Sequence, residues 1–203
     1  MTATPYNPLD HGNLAHSIML RMEETEPTPL KAVKRFTGAG LYAIYYCGNH
    51  PAYDVISSRN SDRWTTPIYV GKAVPSGGRR GMDTTATHGT EALSKRIREH
   101  AKSIAASPDL SIDSFVVRWL VVEDIWIALG ESAMIRAHRP VWNAIVDGFG
   151  NHDPGKGRAN GVQSRWDTLH PGRTWVGNFP ARSETPSVIE QDIREYLRAR
   201  YQV

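Results

Sequence analysis

The chain is short of cysteine, of long apolar runs and of any strong excess of one charge. Cys47 is its single cysteine, which excludes an internal disulfide and a cysteine-rich zinc site and points to a reducing compartment. No segment approaches the roughly 20 apolar residues that cross a bilayer, and the first ten residues, with prolines and polar side chains, do not open like a signal peptide. A soluble, cytoplasmic protein with no membrane partner is expected. The 8 histidines are scattered without H-E-x-x-H spacing, against a catalytic zinc. GNHDPGKG at residues 150–157 has the spacing of a phosphate-binding loop, but Gly157 stands where a Ser or Thr must hold Mg2+, so nucleotide hydrolysis is set aside. Basic residues number 24 against 21 acidic, for a net charge of +3, a balance that permits a nucleic-acid partner without demanding one.

What is present is an ordinary globular composition, 203 residues of which 40% are hydrophobic, enough for one compact core with appended arms. Residues 9–24 show Leu14, Ile18 and Met22 on one helical stripe, and the following EPTP, with Pro27 and Pro29, predicts a linker. GLYAIYY at residues 40–46 alternates Tyr42, Ile44 and Tyr46 with Leu41, Ala43 and Tyr45, the period of a strand. Polar residues 48–66 predict a long loop, leading to a second strand at residues 68–70 that can pair with the first as an antiparallel hairpin. The Gly- and Arg-rich residues 74–83 predict another loop. A helix over residues 90–106 starts at an N-cap threonine, residues 114–122 form a strand, and Asp124 is expected to cap a helix over residues 125–138. About thirty residues beyond Trp142 fit no regular element, and a helix over residues 186–200 closes the chain. This order predicts an α+β fold, a small three-stranded antiparallel sheet flanked by helices. An N-terminal arm (1–36) and a C-terminal extension (147–203) would flank a core at 37–146.

Three polar side chains resist a purely structural reading. Within the apolar run 126–135, Glu131 is the one charged residue. A carboxylate taken out of water costs several kcal/mol, on the order of the whole stability of a marginal domain, unless it is paired. A salt bridge and a ligand for a hard cation such as Mg2+ are both open. Arg96 and His100, spaced i and i+4, project together beside the apolar stripe Leu93, Ile97 and Ala101. The rim of a solvated face is the competing account.

Taken in order, GLY at residues 40–42, YVG at 69–71 with Lys72, an Arg-x-x-x-His helix, an isolated helical Glu131 and the later Asn143 resemble the GIY-YIG nuclease family. The core of the resemblance runs from about Gly40 to Asn143. Long insertions and flanking arms are similar to the family's type II restriction endonuclease branch, and GFGNHDPGKGR…SRWDTLHPGRTW at residues 148–175 is similar to the same branch.

That resemblance implies hydrolysis of phosphodiester bonds in both strands of duplex DNA, at a palindromic GC-containing site, by a homodimer. Its site residues would be Tyr42, Tyr69, Lys72, Arg96, His100, Glu131 and Asn143. Glu131 would bind one Mg2+, Arg96 would stabilise the phosphoryl charge, and Tyr42 would activate water with His100 as proton acceptor and Lys72 as a nearby cation. Tyr69 would hydrogen-bond the phosphate or the water, and Asn143 would buttress the site. Arg79, Arg80, Lys156, Arg158, Arg165 and Arg173 are candidate DNA contacts. A homing or structure-specific repair nuclease, and an inactive DNA-binding module, are the alternatives.

Overall fold

All seven residues of GLYAIYY are buried, and a strand covered on both faces must lie inside a sheet between two layers. A computed structural model, which describes residue 7 and residues 9–75, 89–152 and 161–203, has that arrangement. Strand β2 (Gly40–Tyr46) is central, pairing antiparallel with β3 (Pro67–Ala73) on one side and with β4 (Phe115–Val121) on the other. The predicted alternation holds. Tyr42, Ile44 and Tyr46 belong to one core with Phe115 and Val117, whereas Leu41, Ala43 and Tyr45 belong to a second with Val70.

The sheet has four strands, not three. Thr28 and Pro29 form a short strand, β1, paired with Val117 and Val116, so the order is β1-β4-β2-β3. The prolines that suggested a linker are compatible with this place because an edge strand needs no inward N–H from them.

Helix α1 (His11–Glu24) is capped by Asp10, whose carboxylate accepts the Gly12 N–H. It covers the second core together with α4 (Asp124–His138), through Met22, Ile127 and Met134. The Arg118 guanidinium ties this layer to the sheet by donating to the carbonyls of Thr25 and Trp64. Asp124 lies in the first turn of α4 and Glu123 occupies the cap position, one residue earlier than the expected cap.

The first core is covered by α3 (Ala92–Ala106), α6 (Arg165–Leu169) and α7 (Pro186–Tyr201), with Leu93, Ile97, Trp166, Ile189 and Ile193 buried there. The start of α3 is held by the Thr90 hydroxyl, which accepts the Ala92 N–H, and by paired backbone hydrogen bonds between Gly38 and residues 90 and 93.

Two stretches expected to be irregular are ordered. Residues 48–66 hold a 3-10 turn (Pro51–Tyr53) and helix α2 (Asp54–Asn60). The polar residues there are local caps: His50 accepts the Ala52 N–H, and Asn60 bonds the backbone of Tyr46 and Thr66. Beyond Pro140 the chain makes the short helix α5 (Val141–Ala144), then α6 and a 3-10 turn at Thr174–Asn178. Trp142, Phe149 and Trp166, all buried, anchor this segment to the first core.

Gly40 has φ of +153°, and a Cβ there would stand 2.1 Å from the Leu120 carbonyl oxygen. Gly40→Ala is therefore expected to lower unfolding stability by on the order of 2 kcal/mol, read from the midpoint of urea unfolding. An unchanged midpoint would show that β2 and β4 can separate there without cost.

Candidate active site

The register of the β2–β3 hairpin decides which side chains meet. Tyr42 lies directly opposite Gly71 and Ile44 opposite Tyr69, so both tyrosines stand on the face covered by α3. A Cβ at position 71 would fall 2.4 Å from the Tyr42 hydroxyl. The glycine of YVG is thus required for the Tyr42 phenol to lie across β3. The two rings sit 6.2 Å apart, and the Tyr42 hydroxyl is 2.7 Å from Nε2 of His100 on α3.

Burial fixes the protonation states. It raises the Tyr42 pKa well above the usual 10, reinforced by Tyr69 and opposed by Arg96, and it raises Tyr69 for the same first reason. Burial, with Arg96 nearby, drops His100 well below 6.5. With both groups neutral, the Tyr42 O–H donates to His100 in the tautomer that carries its ring hydrogen on Nδ1. His100 is stacked on Phe149, with centroids 4.3 Å apart and planes at 21°.

Arg96, one turn before His100, donates from Nη2 to the Gly150 carbonyl, and its Nη1 is 2.9 Å from Nδ1 of His152. Glu99 lies 3.7 Å from Arg96 and 3.5 Å from His152. In this conformation the guanidinium is held by the 148–152 segment, and Tyr42 is fully covered. Asn143 on α5 clamps the free edge of β3 in the manner of a neighbouring strand: its Oδ1 accepts the Val70 N–H at 2.8 Å and its amide donates to the Val70 carbonyl at 2.9 Å.

Lys72 and Glu131 approach from the other face. Lys72 is opposite Leu41, and its ammonium is 2.7 Å from the Glu131 carboxylate on α4. This is the salt bridge that the apolar run left open, although the Glu131 charge still acts on Tyr69 around the edge strand. The carboxylate retains one-fifth of its side-chain exposure, and a hard oxygen donor at a strand edge suits a hard cation completed by water and phosphate oxygens. Glu131 thus offers one hard oxygen donor of the kind a divalent cation takes, shared in this structure with the Lys72 ammonium.

The candidate DNA contacts divide. Arg79, Arg80, Lys156 and Arg158 lie outside the described residues. Arg165 and Arg173 are engaged in ion pairs and hydrogen bonds within the fold, which speaks against their reading as DNA contacts. Arg173 is buried, pairs with Asp167 at 2.6 Å and donates to the carbonyls of Gly148, Phe149 and Asn151. Arg165 bonds the Ile145 carbonyl, Asp192 and Glu184.

A second polar cluster joins His50, Asp109 and His170, whose ligand-type atoms lie within 4.8 Å of one another. Its hydrogen bonds account for it without a metal. Trp142 Nε1–H donates to the Tyr53 hydroxyl at 2.9 Å, Tyr53 donates to His170 Nε2 at 2.7 Å, and His170 Nδ1–H donates to Asp109 at 2.6 Å. His50 already accepts the Ala52 N–H on Nδ1, so its Nε2 carries the proton and faces Asp109. A metal here would displace protons from both ring nitrogens that face Asp109. Burial raises the Asp109 pKa, but the hydrogen bonds from His170 and His50 outweigh it and hold the carboxyl far below the usual range.

Phe149, Gly150 and His152, which complete the site, lie in the GFGNHDPGKGR stretch beyond the core motifs, and no role for them in the site is read from the sequence.

Paired tyrosines on an antiparallel hairpin, an Arg and a His from one helix and a Glu from another define the GIY-YIG nuclease class. A family model described as the Eco29kI GIY-YIG domain matches residues 34–197, and the chain belongs to this family of restriction-type nucleases. No curated protein matches the chain. Among the described residues, no helix is long and apolar enough to cross a membrane.

Burial sets an acid response. His100 and His170 both have folded pKa values below the ordinary 6.5, burial being the first cause. Above 6.5 each is neutral whether folded or unfolded. As pH falls below 6.5 the unfolded chain takes up protons that the folded chain refuses, so stability drops. Asp109, with its lowered folded pKa, adds a loss of the same sign below about 4. Urea unfolding from pH 7.5 to 5 should show a falling midpoint, and a flat midpoint would mean that neither imidazole is kept neutral.

Proposed function

We propose that the protein is a Mg2+-dependent type II restriction endonuclease that cuts both strands of duplex DNA at a specific, palindromic GC-containing site. The observation that carries this is the Tyr42–His100 hydrogen bond beside Arg96 and Tyr69, a proton path next to a phosphate-binding guanidinium. A free Tyr42 phenolate is disfavoured by burial. The path avoids it, because Tyr42 takes a proton from the attacking water while handing its own to the neutral Nε2 of His100.

Arg96 first exchanges the Gly150 carbonyl and His152 for phosphate oxygens, then offers fixed N–H donors to the charge that grows on them. Tyr69 hydrogen-bonds the phosphate or the water, and Asn143 holds β3, and with it Tyr69, in place. Glu131 would hold the cation, with Lys72 fixing the carboxylate from the side. When bound, Mg2+ supplies Lewis-acid stabilisation of the phosphoryl and leaving oxygens. A palindrome cut on both strands by one site per chain calls for a twofold homodimer. Arg79, Arg80, Lys156 and Arg158 remain the proposed DNA contacts, and cytoplasmic DNA is the natural substrate.

Incubating the protein with linear duplex DNA of several tens of kilobases and Mg2+ should yield a reproducible ladder of discrete fragments. Nicking alone, or cutting only branched DNA, would favour a homing or repair nuclease. Glu131→Ala should bind the same DNA without cutting it, and normal cutting would remove the metal assignment. Tyr42→Phe should keep binding and lose about 10²–10⁴ in kcat; an unimpaired rate would take Tyr42 out of the chemistry.

A further inference from the structure

We propose that the groove leading from Arg96 and His100 toward Trp175 is the track for the DNA strand next to the cleaved bond. In it Lys102 holds a neighbouring phosphate and the Trp175 indole lies against a sugar or base. The inference rests on the reading of the site as a DNA-cutting centre, and it assigns a role to residues outside the family motifs.

A cavity of about 340 Å³ opens directly off the site, lined by Arg96, His100, Lys102, Asn151, His152 and Trp175 among others. Arg96, His100 and Ser103 fall on one stripe of α3 at i, i+4 and i+7, so the groove runs along the helix. Lys102 is six residues beyond Arg96, about 9 Å along the axis. A DNA strand advances about 3.4 Å per nucleotide, which sets the Lys102 ammonium a few nucleotides or fewer from a phosphate on Arg96. Lys102 is exposed and makes no salt bridge among the described residues.

The far wall is pre-formed. Arg173, saturated by Asp167 and three carbonyls, places its guanidinium 4.6 Å from the Trp166 ring centroid and 4.9 Å from that of Trp175. Trp175 is therefore braced from beneath before any ligand arrives, and an aromatic plate already ordered loses little entropy on binding. A cation beside the reactive phosphate, an amide at Asn151 and a braced indole suit a nucleotide chain, whose anionic oxygens and flat bases match them in turn.

Glu99 is the one acid lining the groove among the described residues. It stands against Arg96 and His152 and opposes an anionic strand, which gives the proposal a second sign to test.

The test uses the full chain and a fluorescein-labelled duplex fragment spanning one mapped cut site, with Ca2+ replacing Mg2+, and reads binding by anisotropy between 50 and about 300 mM salt. Lys102→Ala should weaken binding and make the slope of log affinity against log salt shallower by about 1, and Lys102→Arg should restore both. Trp175→Ala should weaken binding by about 5- to 100-fold, with Trp175→Phe retaining most of it. Glu99→Gln should tighten binding. Wild-type affinity and salt slope in Lys102→Ala, together with wild-type affinity in Trp175→Ala, would overturn the groove while leaving the nuclease reading intact. A wild-type protein that cuts no duplex DNA would overturn both.

Discussion

The site depends on one hydrogen bond, from the Tyr42 hydroxyl to Nε2 of His100. Tyr42 can make it because position 71 across the hairpin has no side chain, and His100 can receive it because α3 is fixed at its start to the backbone of Gly38. Both partners are neutral for the same reason, exclusion of water. The same exclusion disfavours ionising either group, so a proton passed along the pair spares a free phenolate and puts its positive charge on the His100 ring.

The C-terminal third of the chain does not hang from this centre. The run from Trp142 through Tyr53 and His170 to Asp109 crosses from α5 to the turn before α2, then to α6 and the segment after α3. Each donor in it has a partner, so a polar chain in the interior fixes orientation at little desolvation cost. Arg173 plays a similar part nearer the site. It holds the 148–151 carbonyls on one side and two indoles on the other, and so places the loop whose Gly150 carbonyl occupies Arg96.

Much of the centre was legible in the sequence because strand period and helix spacing act over a few residues. Alternation set Tyr42 apart from Leu41, and the i, i+4 pair set Arg96 beside His100. The odd carboxylate in an apolar run marked Glu131, and its partner proved to be Lys72. What was missed is held by long-range contacts. Residues 48–66 look like a loop because their polar groups cap and clamp a short helix, and Thr28–Pro29 becomes a strand only when β4 is beside it. Arg165 and Arg173 read as free cations, since nothing local reveals that Asp192 and Asp167 close on them. The core motifs end at Asn143 and the similarity at residues 148–175 lies beyond them, within the family match, which extends to residue 197.

The stacking of Phe149 on His100 has an architectural consequence. The core motif residues end at Asn143, yet one wall around the imidazole of His100 comes from beyond them. Such a centre is not a cartridge that can be excised and grafted between hosts: shortened to its motifs it would open the imidazole to water and return it toward the behaviour of an ordinary surface histidine. Insertions can diversify around this nuclease, but its tail and its chemistry have to be inherited as one piece.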